Sequence, residues 1–81
     1  MKIYGYIISS SYRVRTIKAM KGDIKIPKEI ANDAGIRLNH ISNVLRDLKR
    51  VGIAECLNEH SKKGRIYRLT PFGEEIEKHL K

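Results

Sequence analysis

Two segments of the 81-residue chain concentrate positively charged side chains, the groups that bind phosphates in water. Residues 12–28 hold six lysines and arginines against one acid, and residues 60–68 hold four against none. Lys and Arg displace the counterions condensed on a polyanion, so such clusters favour a polyanionic partner. Excess charge that only keeps a surface soluble explains the same clusters equally well, and charge alone leaves both interpretations open.

The chain carries a formal net charge of +8, from 17 lysines and arginines against 9 acids. A folded chain of this length buries about 60 to 65% of its extended surface, which leaves little room for an elaborate catalytic cleft. We therefore expect a single domain over residues 1–81. Within it, residues 1–8 are an N-terminal extension compatible with a helical turn, a strand or a partner contact, and Gly5 weakens a helix there.

Residues that support other chemistries are scarce. Cys56 is the only cysteine and the three histidines are far apart in sequence, so the sequence predicts no disulfide, metal site or cofactor. It contains no phosphate-cradling glycine loop, no HExxH and no plausible nucleophile set, so we expect no enzymatic activity and no catalytic residue. No apolar run approaches the roughly 20 residues of a bilayer span, and the first residues do not resemble a signal peptide. We expect a cytoplasmic protein that does not bind a membrane.

Capping residues and apolar spacing predict three helices in the first part of the chain. The first follows Ser10 or Ser11, and the second covers residues 27–34, between a proline at its first position and Gly35 as a left-handed cap. The third covers residues 38–51, because its apolar residues fall on one arc of about 140° at 100° per residue. These apolar residues are Leu38, Ile41, Val44, Leu45, Leu48 and Val51.

The second and third of these helices have the spacing of a helix-turn-helix motif. Ala31 is small where the two helices would cross, and Gly35 falls four residues later, where the chain must turn. A helix pair used only for packing also needs a glycine in its turn, but it has less need of a small residue before it. We therefore favour the DNA-binding motif.

A hairpin and a last helix follow. Residues 53–57 and 65–69 are typical of antiparallel strands, joined by a polar loop with a basic tip. Thr70 is suited to cap the last helix. The residues expected to pack this helix onto the domain are Phe72, Ile76 and Leu80.

Four short motifs occur in an order and spacing that are specific to one fold. They are PKEIA at 27–31 followed by GI at 35–36, Ile41 and Ser42 with Leu45 and Leu48, VGIAECL at 51–57, and KKGRIYRLT at 62–70 with Gly73. Over residues 9–81 the sequence resembles the winged helix-turn-helix regulators, particularly the small archaeal ArsR-like transcription factors. The resemblance implies an α+β, mostly helical fold with a three-helix core, a two-stranded wing hairpin and a C-terminal helix.

The resemblance also implies double-stranded DNA as the partner, with the helix over residues 38–51 in the major groove. It implies base readout by Asn39, His40, Asn43 and Arg46. It implies phosphate contacts from Lys25, Lys28, Arg37, Ser42 and Arg50. It implies that the wing reaches a flanking phosphate track or the minor groove through Lys62, Lys63 and Arg65.

Two features depart from the family pattern. Ile26 and Arg37 occupy N-cap positions where the family usually has Ser or Thr, so these helix starts are weaker or are capped from elsewhere. Metal-sensing ArsR-like members carry paired cysteines on the recognition helix or acid and histidine pairs on the last helix. This sequence has neither, so we predict no metal sensing.

Two functions remain open on the sequence alone. The favoured one is a sequence-specific transcription regulator, and the other is a winged helix adaptor that binds a protein partner or structured RNA. We also favour a homodimer, formed through the N-terminal segment and the C-terminal helix, over a monomer.

Overall fold

The computed structural model describes residues 2–80, which form five helices and one two-stranded antiparallel sheet. The elements in chain order are α1 (Lys2–Ile8), α2 (Ser11–Ala19), α3 (Pro27–Ala34), α4 (Leu38–Arg50), β1 (Ala54–Cys56), β2 (Tyr67–Leu69) and α5 (Pro71–His79). The predicted order of helices, hairpin and last helix is confirmed. Residues 2–8, whose structure the sequence left open, form a helix.

Local capping explains where the helices begin and end. The Ser10 hydroxyl accepts a hydrogen bond from the Arg13 backbone N–H at the start of α2. At the start of α3 the Glu29 carboxylate accepts from the Ile26 backbone N–H at 3.0 Å, so this cap does come from elsewhere. Gly35 ends α3 in the left-handed region, with φ of 68°.

The apolar side chains of all five helices and both strands share one buried core. The three buried residues of α3 are Ile30, Ala31 and Ala34, and α4 contributes four of the six apolar residues predicted for its buried face. The fully buried members of the core are Ile7, Ile17, Met20, Ile30, Ile41, Leu45, Leu48, Ile53 and Ile76. The apolar arc of α4 therefore fixes which of its residues face solvent.

Two residues predicted to pack against the core do not do so. Leu38 is 54% exposed and Phe72 is 41% exposed. Each lies in the first turn of its helix. In α5 the residue that faces the core at this level is Gly73, because a Cβ built on Gly73 would lie 2.1 Å from the carbonyl oxygen of Ile53.

The hairpin pairs β1 with β2 in the register Ala54↔Leu69, Glu55↔Arg68 and Cys56↔Tyr67. Its strands are shorter than predicted at the loop end. The reason is that the Asn58 side-chain oxygen accepts a hydrogen bond from the Ile66 backbone N–H at 2.8 Å. In a longer hairpin this N–H would instead bond a backbone carbonyl of the opposite strand. Lys25 adds an isolated bridge to Tyr67, so the chain that leads into α3 is tied to β2.

Helix α1 packs on the domain through Ile7, which is fully buried. Its tyrosines connect it to two other helices. The Tyr4 hydroxyl donates to the His79 carbonyl at 3.0 Å, and the Tyr6 hydroxyl accepts from the Arg50 guanidinium at 3.2 Å. Gly5 lies within this helix at an exposed position, so its low propensity does not prevent the helix from forming.

Candidate nucleic-acid interface

The solvent face of α4 carries every residue for which the sequence predicted base readout. Asn39, His40, Asn43 and Arg46 are all exposed, and so is Ser42, which was predicted to contact phosphate. The opposite face supplies the buried core residues, so the helix cannot rotate about its axis without losing the core. Packing therefore presents these polar side chains to solvent as one fixed set.

The turn before α4 is held by an arginine that sequence reasoning missed. Arg15, on α2, donates to the carbonyl of Ala34 at 2.8 Å and to the carbonyl of Gly35. The Ile36 backbone N–H bonds the Ala31 carbonyl at 2.9 Å, which closes the end of α3. The Arg15 contacts fix the angle at which α4 leaves the turn, because they satisfy carbonyls that a helix end leaves without partners.

An aromatic contact joins α2 to the first turn of α4. The rings of Tyr12 and His40 lie with centroids 5.9 Å apart and planes tilted by 53°. The Arg15 guanidinium lies 5.5 Å from the Tyr12 ring centroid. Tyr12 is 38% exposed and lies beside His40, one of the predicted readout residues.

The wing loop between the two strands is braced from within. The Asn58 amide donates to the Gly64 carbonyl at 3.0 Å. Arg65 folds back over the loop and donates to the Ser61 carbonyl at 2.7 Å and to the Glu59 carbonyl at 3.2 Å. These bonds hold the loop closed and leave its tip pointing outward with Lys62 and Lys63 exposed.

An ion pair ties the wing loop to α4. Lys49 Nζ lies 2.6 Å from Glu59 Oε1. This hydrogen bond raises the pKa of Lys49 above its ordinary value and holds the pKa of the Glu59 carboxyl below its ordinary value. The pairing of Glu59 with Lys49 removes much of the repulsion that its carboxylate would exert on an anion near the wing.

The positive side chains divide sharply by whether they have a partner. Among residues 2–80 the lysines and arginines without an ion pair, hydrogen bond or ring contact are Lys2, Lys28, Arg37, Arg46, Lys62 and Lys63. All but Lys2 lie on the first turn of α3, the turn before α4, the exposed face of α4 or the wing tip. We call these five residues the cationic surface.

Three of the residues predicted to contact DNA have internal partners. The ammonium of Lys25 lies 2.6 Å from both the Ala19 carbonyl and the Asp33 carboxylate, and only 18% of its side chain is exposed. Arg50, at the C-terminal end of α4, bonds Tyr6 and lies 3.6 Å from Asp47. Arg65 braces the wing, so these cations contribute first to the fold.

Within residues 2–80, no three His, Cys, Asp or Glu side chains are grouped where they could hold a metal ion. No helix in the same range is long and apolar enough to span a bilayer.

A three-helix core with a helix-turn-helix, a braced wing hairpin and a final helix define a winged-helix protein. The fold is similar to that of NadR in its crystal structure in complex with 4-hydroxyphenylacetate, with a TM-score of 0.71 and 20% sequence identity. The match covers 99% of this chain and 61% of the NadR chain, so this chain spans about three fifths of that protein. Comparison of the sequence with protein-family models and with curated proteins found no match. The likeness to NadR confirms the predicted fold and extends to the fold alone.

Proposed function

We propose that the protein is a sequence-specific transcription regulator that binds double-stranded DNA, with α4 in the major groove and the wing on the flanking backbone or minor groove. The proposal includes no catalytic role. The observation that carries it is the cationic surface. Cations that serve the fold have internal partners, whereas those on the helix-turn-helix and the wing tip are left free to displace counterions from phosphates.

The side chains on α4 suit the two tasks that such a surface must perform. Asn39 and Asn43 can form bidentate pairs with adenine, and Arg46 with guanine, which supports base readout. Ser42, Lys28 and Arg37 suit phosphate contacts that set the register of the helix on the duplex. No side chain caps the start of α4, so its first backbone N–H groups are also open to a phosphate.

The wing supplies a second point of contact. Its tip lysines are exposed, and the loop that carries them is closed by hydrogen bonds and tied to α4 by the Lys49–Glu59 pair. A loop fixed in this way loses little conformational freedom on binding, so its charges are not offset by an ordering cost. This supports the assignment of Lys62 and Lys63 to the flanking backbone or the minor groove.

We further propose a homodimer that pairs α1 and α5 across a two-fold axis. The hydrogen bond between Tyr4 and His79 joins these helices, and Ile8 on α1 is exposed. A two-fold dimer requires an operator with two half-sites about 10 base pairs apart, or a multiple of that spacing. Sedimentation equilibrium measures the mass directly, and a monomer at micromolar concentration would contradict this part of the proposal.

The assignment to the small archaeal ArsR-like regulators rests on the sequence motifs and remains part of the proposal. So does the cytoplasmic, nucleoid-associated location, which follows if the protein binds genomic DNA. The family assignment and the location both depend on the DNA-binding function, and evidence against DNA binding would count against them as well.

Selection of bound duplexes from a random pool tests the proposed function. The wild-type protein is expected to enrich one motif, and Arg46→Ala and Asn43→Ala are each expected to lose preference at one base step while keeping non-specific binding. Each good bidentate contact is worth about 1–3 kcal/mol of discrimination. Lys78→Ala, on the exposed side of α5, is the control and should keep the full motif.

Two outcomes of this selection would count against the proposal. Equal loss at every position in the Arg46 and Asn43 variants would show phosphate contact rather than readout. Failure of the wild-type protein to bind any duplex at low salt would remove the DNA-binding function and favour the adaptor role.

A further inference from the structure

Tyr12 and His40 form a ring pair at the edge of the proposed DNA surface. Tyr12 lies in the first turn of α2 and His40 in the first turn of α4, so residues 28 positions apart in sequence meet at a centroid distance of 5.9 Å. Both side chains are exposed at this point. The contact therefore contributes little to the core, and its consequence must lie at the surface.

Arg15 fixes this pair relative to the helix-turn-helix. Its guanidinium lies 5.5 Å from the Tyr12 ring centroid, one helical turn further along α2. The same guanidinium donates to the carbonyls of Ala34 and Gly35. The Tyr12 ring thus lies close both to His40 and to a guanidinium that is anchored to the turn.

His40 depends on this ring for a defined orientation. Within the described range its imidazole makes no hydrogen bond, and it lies on the exposed edge of α4. An exposed imidazole samples several rotamers, and immobilising a mobile side chain on binding opposes association. Contact with the Tyr12 ring restricts those rotamers before DNA arrives.

We infer that Tyr12 is a positioning residue for DNA readout, whose ring holds the His40 imidazole in place and thereby sets the sequence preference at the base step that His40 reaches. This inference rests on the proposed DNA-binding function. In this inference the aromatic ring of Tyr12 positions His40, and the phenol hydroxyl has no role. A direct contact between Tyr12 and a phosphate would instead require the hydroxyl.

The test compares five variants on duplexes that differ from the selected motif at single base pairs. The variants are His40→Ala, Tyr12→Ala, Tyr12→Phe, the His40→Ala and Tyr12→Ala double variant, and Ile24→Ala. Ile24 is the control, because its side chain is 54% exposed and lies between α2 and α3, outside the cationic surface and outside the helices of the proposed dimer. Circular dichroism checks folding, and Tyr12→Leu replaces Tyr12→Ala if the latter unfolds.

The inference predicts a specific pattern of discrimination. His40→Ala loses preference at one base step, and Tyr12→Ala lowers discrimination at that same step by about threefold to tenfold, the effect of freeing one rotamer-rich side chain. Tyr12→Phe keeps the ring and retains the preference. The double variant is no worse than His40→Ala, because the two residues act through one contact.

Three results would overturn the inference while leaving DNA binding intact. They are full discrimination in Tyr12→Ala, loss in Tyr12→Phe equal to that in Tyr12→Ala, and full discrimination in His40→Ala. Failure of the proposed function would give a different result. The wild-type protein itself would then show no preference at any base step, so no variant could lower it.

Discussion

The cationic surface and the helical scaffold of α1, α2 and α5 use the same residue types for opposite purposes. On the scaffold, Arg13 lies 3.7 Å over the Tyr6 ring and Lys78 pairs with Glu75, and in the turn after α2 Lys21 pairs with Glu77. On the cationic surface the corresponding groups have no partner within residues 2–80. The net charge of +8 is therefore a poor guide to function until each cation is assigned to one region or the other.

The largest expected effect comes from the scaffold. Gly73→Ala places a Cβ 2.1 Å from the Ile53 carbonyl oxygen, so α5 must move off the domain. We expect a loss of about 3 kcal/mol in the free energy of unfolding, measured by urea denaturation. Gly5→Ala is the control. Its Cβ meets nothing within 4 Å, and alanine should stabilise α1 by about 0.5–1 kcal/mol. Equal stabilities for the two variants would contradict the close packing of α5 against Ile53.

The next effect tests an arginine that lies near the cationic surface but belongs to the fold. Arg15→Ala removes hydrogen bonds to the Ala34 and Gly35 carbonyls, and we expect a loss of about 1–2 kcal/mol in the free energy of unfolding. Arg46→Ala, on the cationic surface, should stay within about 0.5 kcal/mol of wild type. If Arg46→Ala were less stable than Arg15→Ala, the distinction between cations that stabilise the fold and cations of the cationic surface would be contradicted.

A smaller effect of opposite sign is expected inside α2. The Thr16 hydroxyl is fully buried with no hydrogen-bond partner among the described residues, which costs desolvation without return. Thr16→Val is expected to raise the melting temperature, through a gain of about 1 kcal/mol. Thr70→Val should lower it, because the Thr70 hydroxyl caps α5 and donates to the Gly52 carbonyl at 2.6 Å. Destabilisation by Thr16→Val would show that its hydroxyl has a partner.

The smallest effect concerns the pair that joins the wing to α4. The pKa of Glu59 is lowered by Lys49, so its contribution to stability is present above the unfolded value of 4.5 and is lost as pH falls through the lower folded pKa. The pKa of Lys49 is raised, so its contribution is present below 10.5 and is lost as pH rises through the raised value. The stability difference between wild type and Glu59→Gln should thus be flat near neutral pH and vanish in acid. A stability difference between wild type and Glu59→Gln that persists in acid would show that it arises from a contact other than the Lys49–Glu59 pair.

Much of the fold could be predicted from the sequence because its signals are local. The buried face of α4 follows from helical periodicity, and the ends of α3 follow from a proline and from Gly35. The predictions that Leu38 and Phe72 pack against the core were wrong. Periodicity assigns residues to one face of a helix, but it does not show how far along the helix that face is covered by the rest of the protein. The internal partners of Arg15, Lys25 and Arg65 could not be predicted, for a different reason. A long cation finds its partner through tertiary structure, as Arg15 does 19 residues away, and no spacing reveals that in advance.

The most direct test of the account is the salt dependence of duplex binding in two charge-matched triple variants. One replaces Lys28, Lys62 and Lys63 of the cationic surface by alanine, and the other replaces Lys2, Lys21 and Lys78 outside it, so each removes three positive charges. Each lost phosphate contact lowers the slope of log affinity against log salt by about 0.9, so the first variant should lose about 2 to 3 units and the second almost none. Equal slopes for the two variants would show that net charge, and not the cationic surface, governs binding, and would contradict the account.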